Sequence, residues 1–166
     1  MGFQIMIDIS KCTGCGICEL SCSLYHDKEC NPEKSRGRVI RYEDQGILYS
    51  IPIMCQQCEE SPCQDVCPTK AIKRNQMTHA LTVDERRCIG CRSCFTVCPF
   101  GCITVDQKTG RAVKCDYCEG EPKCVELCPS GALSFVQYEK VSIARKRSLI
   151  DKYAESLKRL STSTTE

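Results

Sequence analysis

Residues 88–99 read CIGCRSCFTVCP, spacing Cys88, Cys91, Cys94 and Cys98 as C-x2-C-x2-C-x3-C and closing on a proline. Residues 12–22, CTGCGICELSC, repeat that spacing with Cys12, Cys15, Cys18 and Cys22. Two further runs keep both ends and lengthen the middle spacer. Residues 55–68, CQQCEESPCQDVCP, place four residues between Cys58 and Cys63 and end on Cys67 and a proline. Residues 115–129, CDYCEGEPKCVELCP, place five between Cys118 and Cys124, with Cys115 and Cys128 at the ends. The order along the chain is short, long, short, long, so the sequence is an internal repeat.

The spacing has a physical reason. Three thiolates on one tight loop reach three iron corners of a single [4Fe–4S] cubane. Gly14 and Gly90 let the backbone turn between ligands and bring amide N–H groups toward the sulfurs, where they stabilise clustered negative charge. The cysteine after x3 sits one helical turn further on and points away, and in two-cluster bacterial ferredoxins it serves the other cluster. Zinc sites take four ligands as two pairs, which suits four quartets of this grouping poorly. A zinc-binding regulatory module is the different-class alternative, and it would be colourless where iron–sulfur protein is brown.

Working outward, the chain has 18 cysteines in 166 residues, no tryptophan and 6% aromatics. The 42% hydrophobic share falls to about 31% once the cysteines are set aside. Ordering a residue costs roughly 1–2 kcal/mol of backbone entropy, so a core this thin needs help from something bound or cross-linked. Residues 1–11 show no basic n-region and no apolar stretch of signal-peptide length, because Asp8 and Lys11 interrupt it. No run of about 20 apolar residues exists, so no membrane span is expected. A cytoplasmic chain is the expectation, and in a reducing compartment dense cysteine means metal rather than disulfides.

Two cysteines stand outside the quartets. Cys30 lies in a polar stretch and reads as a loop thiol. Cys102 stands where the equivalent positions carry Ala71 and Ala132, and reads as a small buried hydrophobe. His26 and His79 have no ligand spacing and are read as non-catalytic. No nucleophile–base pair or phosphate loop is recognisable, so no substrate site of its own is expected.

The fold class expected is α+β: two ferredoxin-like modules with small antiparallel sheets, plus a C-terminal helix. Strands are predicted at residues 3–9, 38–42, 81–84, 103–106, 111–114 and 133–136. Residues 107–110, QKTG, turn two of them into a hairpin. Each Cys-Pro leads through a short helix end into a strand. Twenty residues separate Cys67 from Cys88, enough for a helix, a strand, a turn and a strand, so motifs two and three can share a module with motifs one and four closing around it. Pairing one with two and three with four also gives each module one short and one long motif, and spacing does not decide between these.

These runs, with the stretch from Ser23 to Val39 and the flanking Met54, Phe100, Gly101 and Lys114, resemble one family. It is the four-cluster electron-transfer subunits of the dimethyl sulfoxide reductase and formate dehydrogenase type. Their smaller polyferredoxin relatives serve formate hydrogenlyases, carbon monoxide dehydrogenases and tungsten aldehyde:ferredoxin oxidoreductases. The resemblance spans residues 3 to about 138. It implies the outer pairing, with residues 1–50 and 110–137 as one module and 51–109 as the inner one; beyond it, the helical pattern of 138–160 reads as a C-terminal amphipathic helix and 161–166 as a disordered tail. It implies four [4Fe–4S] clusters: Cys12, Cys15, Cys18 and Cys128; Cys55, Cys58, Cys63 and Cys98; Cys88, Cys91, Cys94 and Cys67; Cys115, Cys118, Cys124 and Cys22. The five-residue spacer of motif four is shorter than in the large membrane-linked members, which favours the small soluble branch.

Net charge is formally +2, with residues 1–139 at −2 and residues 140–166 at +4. Four oxidised clusters with their thiolates would add −8, which makes the loaded module acidic. A nucleic-acid role needs a basic patch with aromatic platforms, and the module offers neither. In the tail, Ile143, Ile150, Tyr153, Leu157 and Leu160 recur at helical spacing among basic residues. That stripe suits packing on its own module, self-association or docking on a partner, or a membrane surface. The function expected is single-electron relay within a multi-subunit oxidoreductase. The expected partners are a catalytic tungsten or molybdenum subunit and a second redox protein. A hydrogenase or carbon monoxide dehydrogenase, or work as a free polyferredoxin carrier, are the alternatives.

Overall fold

A computed structural model describes residues 2–137. In chain order it contains β1 (Phe3–Ile7), α1 (Ile17–Asp27), β2 (Arg38–Asp44), β3 (Ile47–Ile53), α2 (Pro62–Asp65), β4 (Ile72–Arg74), β5 (Leu81–Val83), α3 (Ser93–Val97), β6 (Ile103–Val105), β7 (Ala112–Lys114), α4 (Lys123–Glu126) and β8 (Leu133–Gln137). Every sheet is a two-stranded antiparallel pair: β1 with β8, β2 with β3, β4 with β5, β6 with β7. This is the α+β architecture of small ferredoxin-like modules that the sequence leads one to expect. The amphipathic stretch 138–160 and the tail 161–166 lie outside the described residues.

The first and last strands pair with each other, from Phe3 opposite Gln137 to Ile7 opposite Leu133. Between them α1 packs on α4 and α2 on α3. Motif one therefore meets motif four, and motif two meets motif three. Two apolar cores follow the same division. Ile5, Cys18, Val39, Tyr117, Cys124 and Leu133 build one, with Met54 and Ala80 reaching in from the middle of the chain. Cys63, Ile72, Leu81, Cys94, Ile103 and Ala112 build the other. Each core is part thiol, as the thin apolar composition requires.

Local chemistry sets the element ends. β1 stops at Ile7, two residues short of the predicted bound, because the Asp8 carboxylate accepts from Ser10 N at 3.2 Å and starts a turn. α1 carries Cys18 and Cys22 a helical turn apart and ends at Lys28, which sits at φ 58°. The QKTG turn is braced by Asp106, whose carboxylate accepts from Lys108 N at 3.0 Å and Thr109 N at 2.6 Å. β3 and β4 are not among the expected strands, and β3 contains Pro52, a residue that sheets confine to edges. In a two-stranded hairpin both strands are edges, so Pro52 is tolerated opposite Val39.

Candidate metal centres

The residue before the second cysteine of every quartet has positive φ: Gly14 at 70°, Gln57 at 49°, Gly90 at 69° and Tyr117 at 64°. That turn lets three cysteines face one centre. A Cβ at Gly90 would lie 2.6 Å from the Gly110 carbonyl oxygen, so glycine is required there for space as well as for conformation. Gln57 and Tyr117 hold the same conformation by burial, at 7% and 0% exposure. After each Cys-Pro a second positive φ follows, at Lys70, Gly101 and Gly131. It swings the next amide back onto the sulfur: Ala71 N donates to Cys67 Sγ at 3.2 Å, and Cys102 N to Cys98 Sγ at 3.4 Å. Motif one has no such proline and continues as helix. There Arg36 N donates to Cys22 Sγ at 3.3 Å instead.

The thiols gather across motifs. Burial raises the Cys63 thiol pKa, the Lys114 ammonium pulls it down, and charge on Cys55, Cys98 and Cys58 pushes it up. Those four cysteines line one cavity. Cys67, Cys88, Cys91 and Cys94 line another. Burial pushes Cys124 up to about 12, with Cys22 and Cys118 its strongest charged neighbours. Burial likewise pushes Cys18 up to about 11, with Glu19, Cys15 and Cys12 adding to it. Cys12 and Cys128 pack against the core that contains Cys18. Cys67 and Cys128 behave oppositely. Burial alone would raise Cys67, but the Ala71 amide and Thr69 hydroxyl hold its thiol below the ordinary range. Cys128 is lowered against burial by the Leu133 amide and the Ser130 hydroxyl.

This donor set fits iron–sulfur clusters. Soft thiols converge from two loops, backbone N–H groups aim at sulfur, and apolar side chains close the cavities. When bound, such a cluster accepts and gives single electrons. The buried third cysteines must shed a proton to ligate, so metal loading releases protons.

Cys102 is 6% exposed and its thiol donates to Phe100 O at 3.4 Å, beside the Cys98 site. Burial pushes it up to about 12. Cys30 is exposed. His26 is the residue that sequence spacing missed. Its Nε2 lies 3.6 Å from Cys118 Sγ and 3.4 Å from Asp116 Oδ1, and Asp116 pairs with Arg36 at 2.7 Å. The sequence signals were its place four residues beyond Cys22 and within the stretch from Ser23 to Val39 that carries the family resemblance.

Cysteine quartets wrapped by amide donors, on small paired sheets, define a 4Fe-4S electron-transfer protein. The 4Fe-4S dicluster domain matches residues 46–138 and a 4Fe-4S binding domain matches residues 9–25, and the chain belongs to this family of 4Fe-4S electron-transfer subunits of oxidoreductases. It is similar to the polyferredoxin-like subunit of an aliphatic sulfonate oxidoreductase of Pyrococcus furiosus, at 42% identity over 75% of this chain and 70% of that protein. It is similar to a subunit of the anaerobic dimethyl sulfoxide reductase of Escherichia coli, at 39% identity over 80% of this chain and 72% of that subunit. The Escherichia coli electron transport protein HydN matches at 34% identity over 82% and 89%. A solved chain of the BamBC active-site complex of benzoyl coenzyme A reductase superposes over 94% of this chain and 96% of its own, with TM-score 0.47 and 26% identity. The chain therefore carries multiple 4Fe-4S clusters. Among the described residues no helix is long and apolar enough to cross a membrane.

Proposed function

We propose that the chain holds four [4Fe–4S] clusters and relays single electrons through them. The partners would be a catalytic tungsten or molybdenum subunit and a second redox protein. The ligands are Cys12, Cys15, Cys18 and Cys128; Cys55, Cys58, Cys63 and Cys98; Cys88, Cys91, Cys94 and Cys67; and Cys115, Cys118, Cys124 and Cys22. The observation that carries this reading is the exchange of fourth cysteines. Cys98 gathers with the motif-two thiols and Cys67 with the motif-three thiols, while Cys22 lies beside Cys118 and Cys124. The names of relatives, such as the dimethyl sulfoxide reductase subunit, support a catalytic partner of the same broad kind.

The same neighbourhoods suggest the order of the relay. Cys18 is a charged neighbour of Cys124, which joins site one to site four. Burial pushes the Cys115 thiol well up, and charge on Cys55 is the next cause, which joins site four to site two. Cys63 and Cys94 share the inner core, which joins two to three. The path then runs one, four, two, three.

Anaerobically purified protein is expected to carry about 16 iron per chain, four for each quartet. Iron near eight with zinc filling the balance would remove the four-cluster reading. Tungsten or molybdenum in the intact complex identifies the partner class, and a complex containing only nickel and iron rejects it.

A further inference from the structure

The two cores meet at one charged side chain. Lys114 ends β7 and is 3% exposed. Its ammonium donates to Leu81 O at 2.7 Å, Gln57 Oε1 at 3.1 Å and Cys115 O at 3.4 Å. Gln57 fixes this arrangement. Its side chain also accepts from Leu81 N at 2.8 Å and donates to Cys115 O at 2.7 Å. The ammonium is thereby tied to β5, to motif two and to motif four at once.

All three acceptors are neutral. Among the described residues no carboxylate pairs with Lys114. Charges this deeply buried are normally paired, because desolvation is otherwise uncompensated. The groups within its reach that become anionic on binding metal are cysteine thiols. Lys114 lines the same cavity as Cys55, Cys58, Cys63 and Cys98, and precedes Cys115 directly. Its charge opposes the burial of Cys63, Cys102 and Cys115.

Building on the ligand reading above, we propose that Lys114 is the fixed counter-ion of the site formed by Cys55, Cys58, Cys63 and Cys98, and that its charge raises the reduction potential there. Reduction adds one electron to an already anionic group in a low-dielectric interior. A cation held beside it favours the more negative state. One electron arrives from the preceding redox centre and the positive charge is already in place, so no proton has to accompany it. Because the relay crosses between the outer and inner modules at this point, Lys114 makes that crossing energetically accessible. It is a positioning residue for electron transfer, acting through space on a site it does not ligate.

The test uses full-length, anaerobically loaded protein, with iron analysis and redox titration followed by paramagnetic resonance. The signal of this site is the one that Cys63→Ser alters. Lys114→Met keeps the chain length and removes the charge, and Lys114→Arg restores a cation. Lys114→Met is expected to retain iron and to move that signal's midpoint to more negative potential, with the distant site of Cys12, Cys15 and Cys18 unmoved. Lys114→Arg is expected to stay near wild type. Iron loss in Lys114→Met with retention in Lys114→Arg also supports the assignment, since the cation is then needed to hold the anionic site. An unmoved midpoint in Lys114→Met, an equal shift in both variants, or iron loss in both overturns it. Wild-type protein with too little iron to fill this site overturns the ligand reading, and this proposal with it.

Discussion

Replacing Cys128 with alanine is expected to remove or convert one cluster site, taking iron from about 16 to between 12 and 15 per chain, depending on whether a whole cluster or one iron is lost. The site affected is the one formed by Cys12, Cys15 and Cys18, although these residues lie more than a hundred positions away in the sequence. Cys12 and Cys128 pack on the core that contains Cys18, whereas Cys88, Cys94, Cys67 and Cys98 belong to the other core. The amide of Leu133 and hydroxyl of Ser130 hold the Cys128 thiol low, which favours the thiolate a metal needs. The inner pair of sites should keep its iron and its paramagnetic signals. Loss of the signal belonging to Cys88, Cys91 and Cys94, with the Cys12 site intact, would show that the modules pair differently.

The second large effect is expected at Gly90. Alanine there meets two penalties. Its φ of 69° is a conformation that costs an ordinary residue roughly 1–2 kcal/mol. Its Cβ would also lie 2.6 Å from the Gly110 carbonyl, and overpacking of this kind costs about 1–3 kcal/mol. The neighbour is backbone in a turn tied down by Asp106, so it yields little. The loop that presents Cys88, Cys91 and Cys94 must therefore open, and iron should fall by about four per chain. Gly101→Ala is the control. Its φ is 61°, but nothing lies within 4 Å of the added carbon. It should keep all its iron and lose only the stability that the conformational strain costs. Equal behaviour of the two variants in iron content and thermal stability would reject the packing argument.

What the sequence made legible was set by covalent spacing. The four cysteine runs, their alternation in length and the QKTG hairpin depend on neighbours in the chain. So did the expected strands at 81–84, 103–106 and 133–136, which appear within a residue or so as β5, β6 and β8. Features held by tertiary contact were not legible. The turn at Gln57 uses a residue with no conformational liking for it, because the side chain is locked between Leu81, Lys114 and Cys115. His26 has no ligand spacing, and only the packing of α1 on α4 carries it toward Cys118. Lys114 read as one more charged residue beside a motif. Its burial depends on three segments converging, which no local pattern records.

The exposure of the thiols is uneven, and this bears on oxygen. Cys15 and Cys91 are exposed, whereas Cys22, Cys55, Cys63, Cys118 and Cys124 are buried. In the proposed order Cys15 and Cys91 belong to the terminal sites, which also hold one buried thiol each, Cys18 and Cys94, while the two sites between them have no exposed thiol. Electrons have to enter and leave somewhere, so both ends of the path are open to partners and by the same token to dioxygen. Oxidative damage would then begin at the terminals and work inward. A protein briefly aired would keep interior centres that can still be reduced by a small mediator, while having lost the contacts through which another protein could reach them.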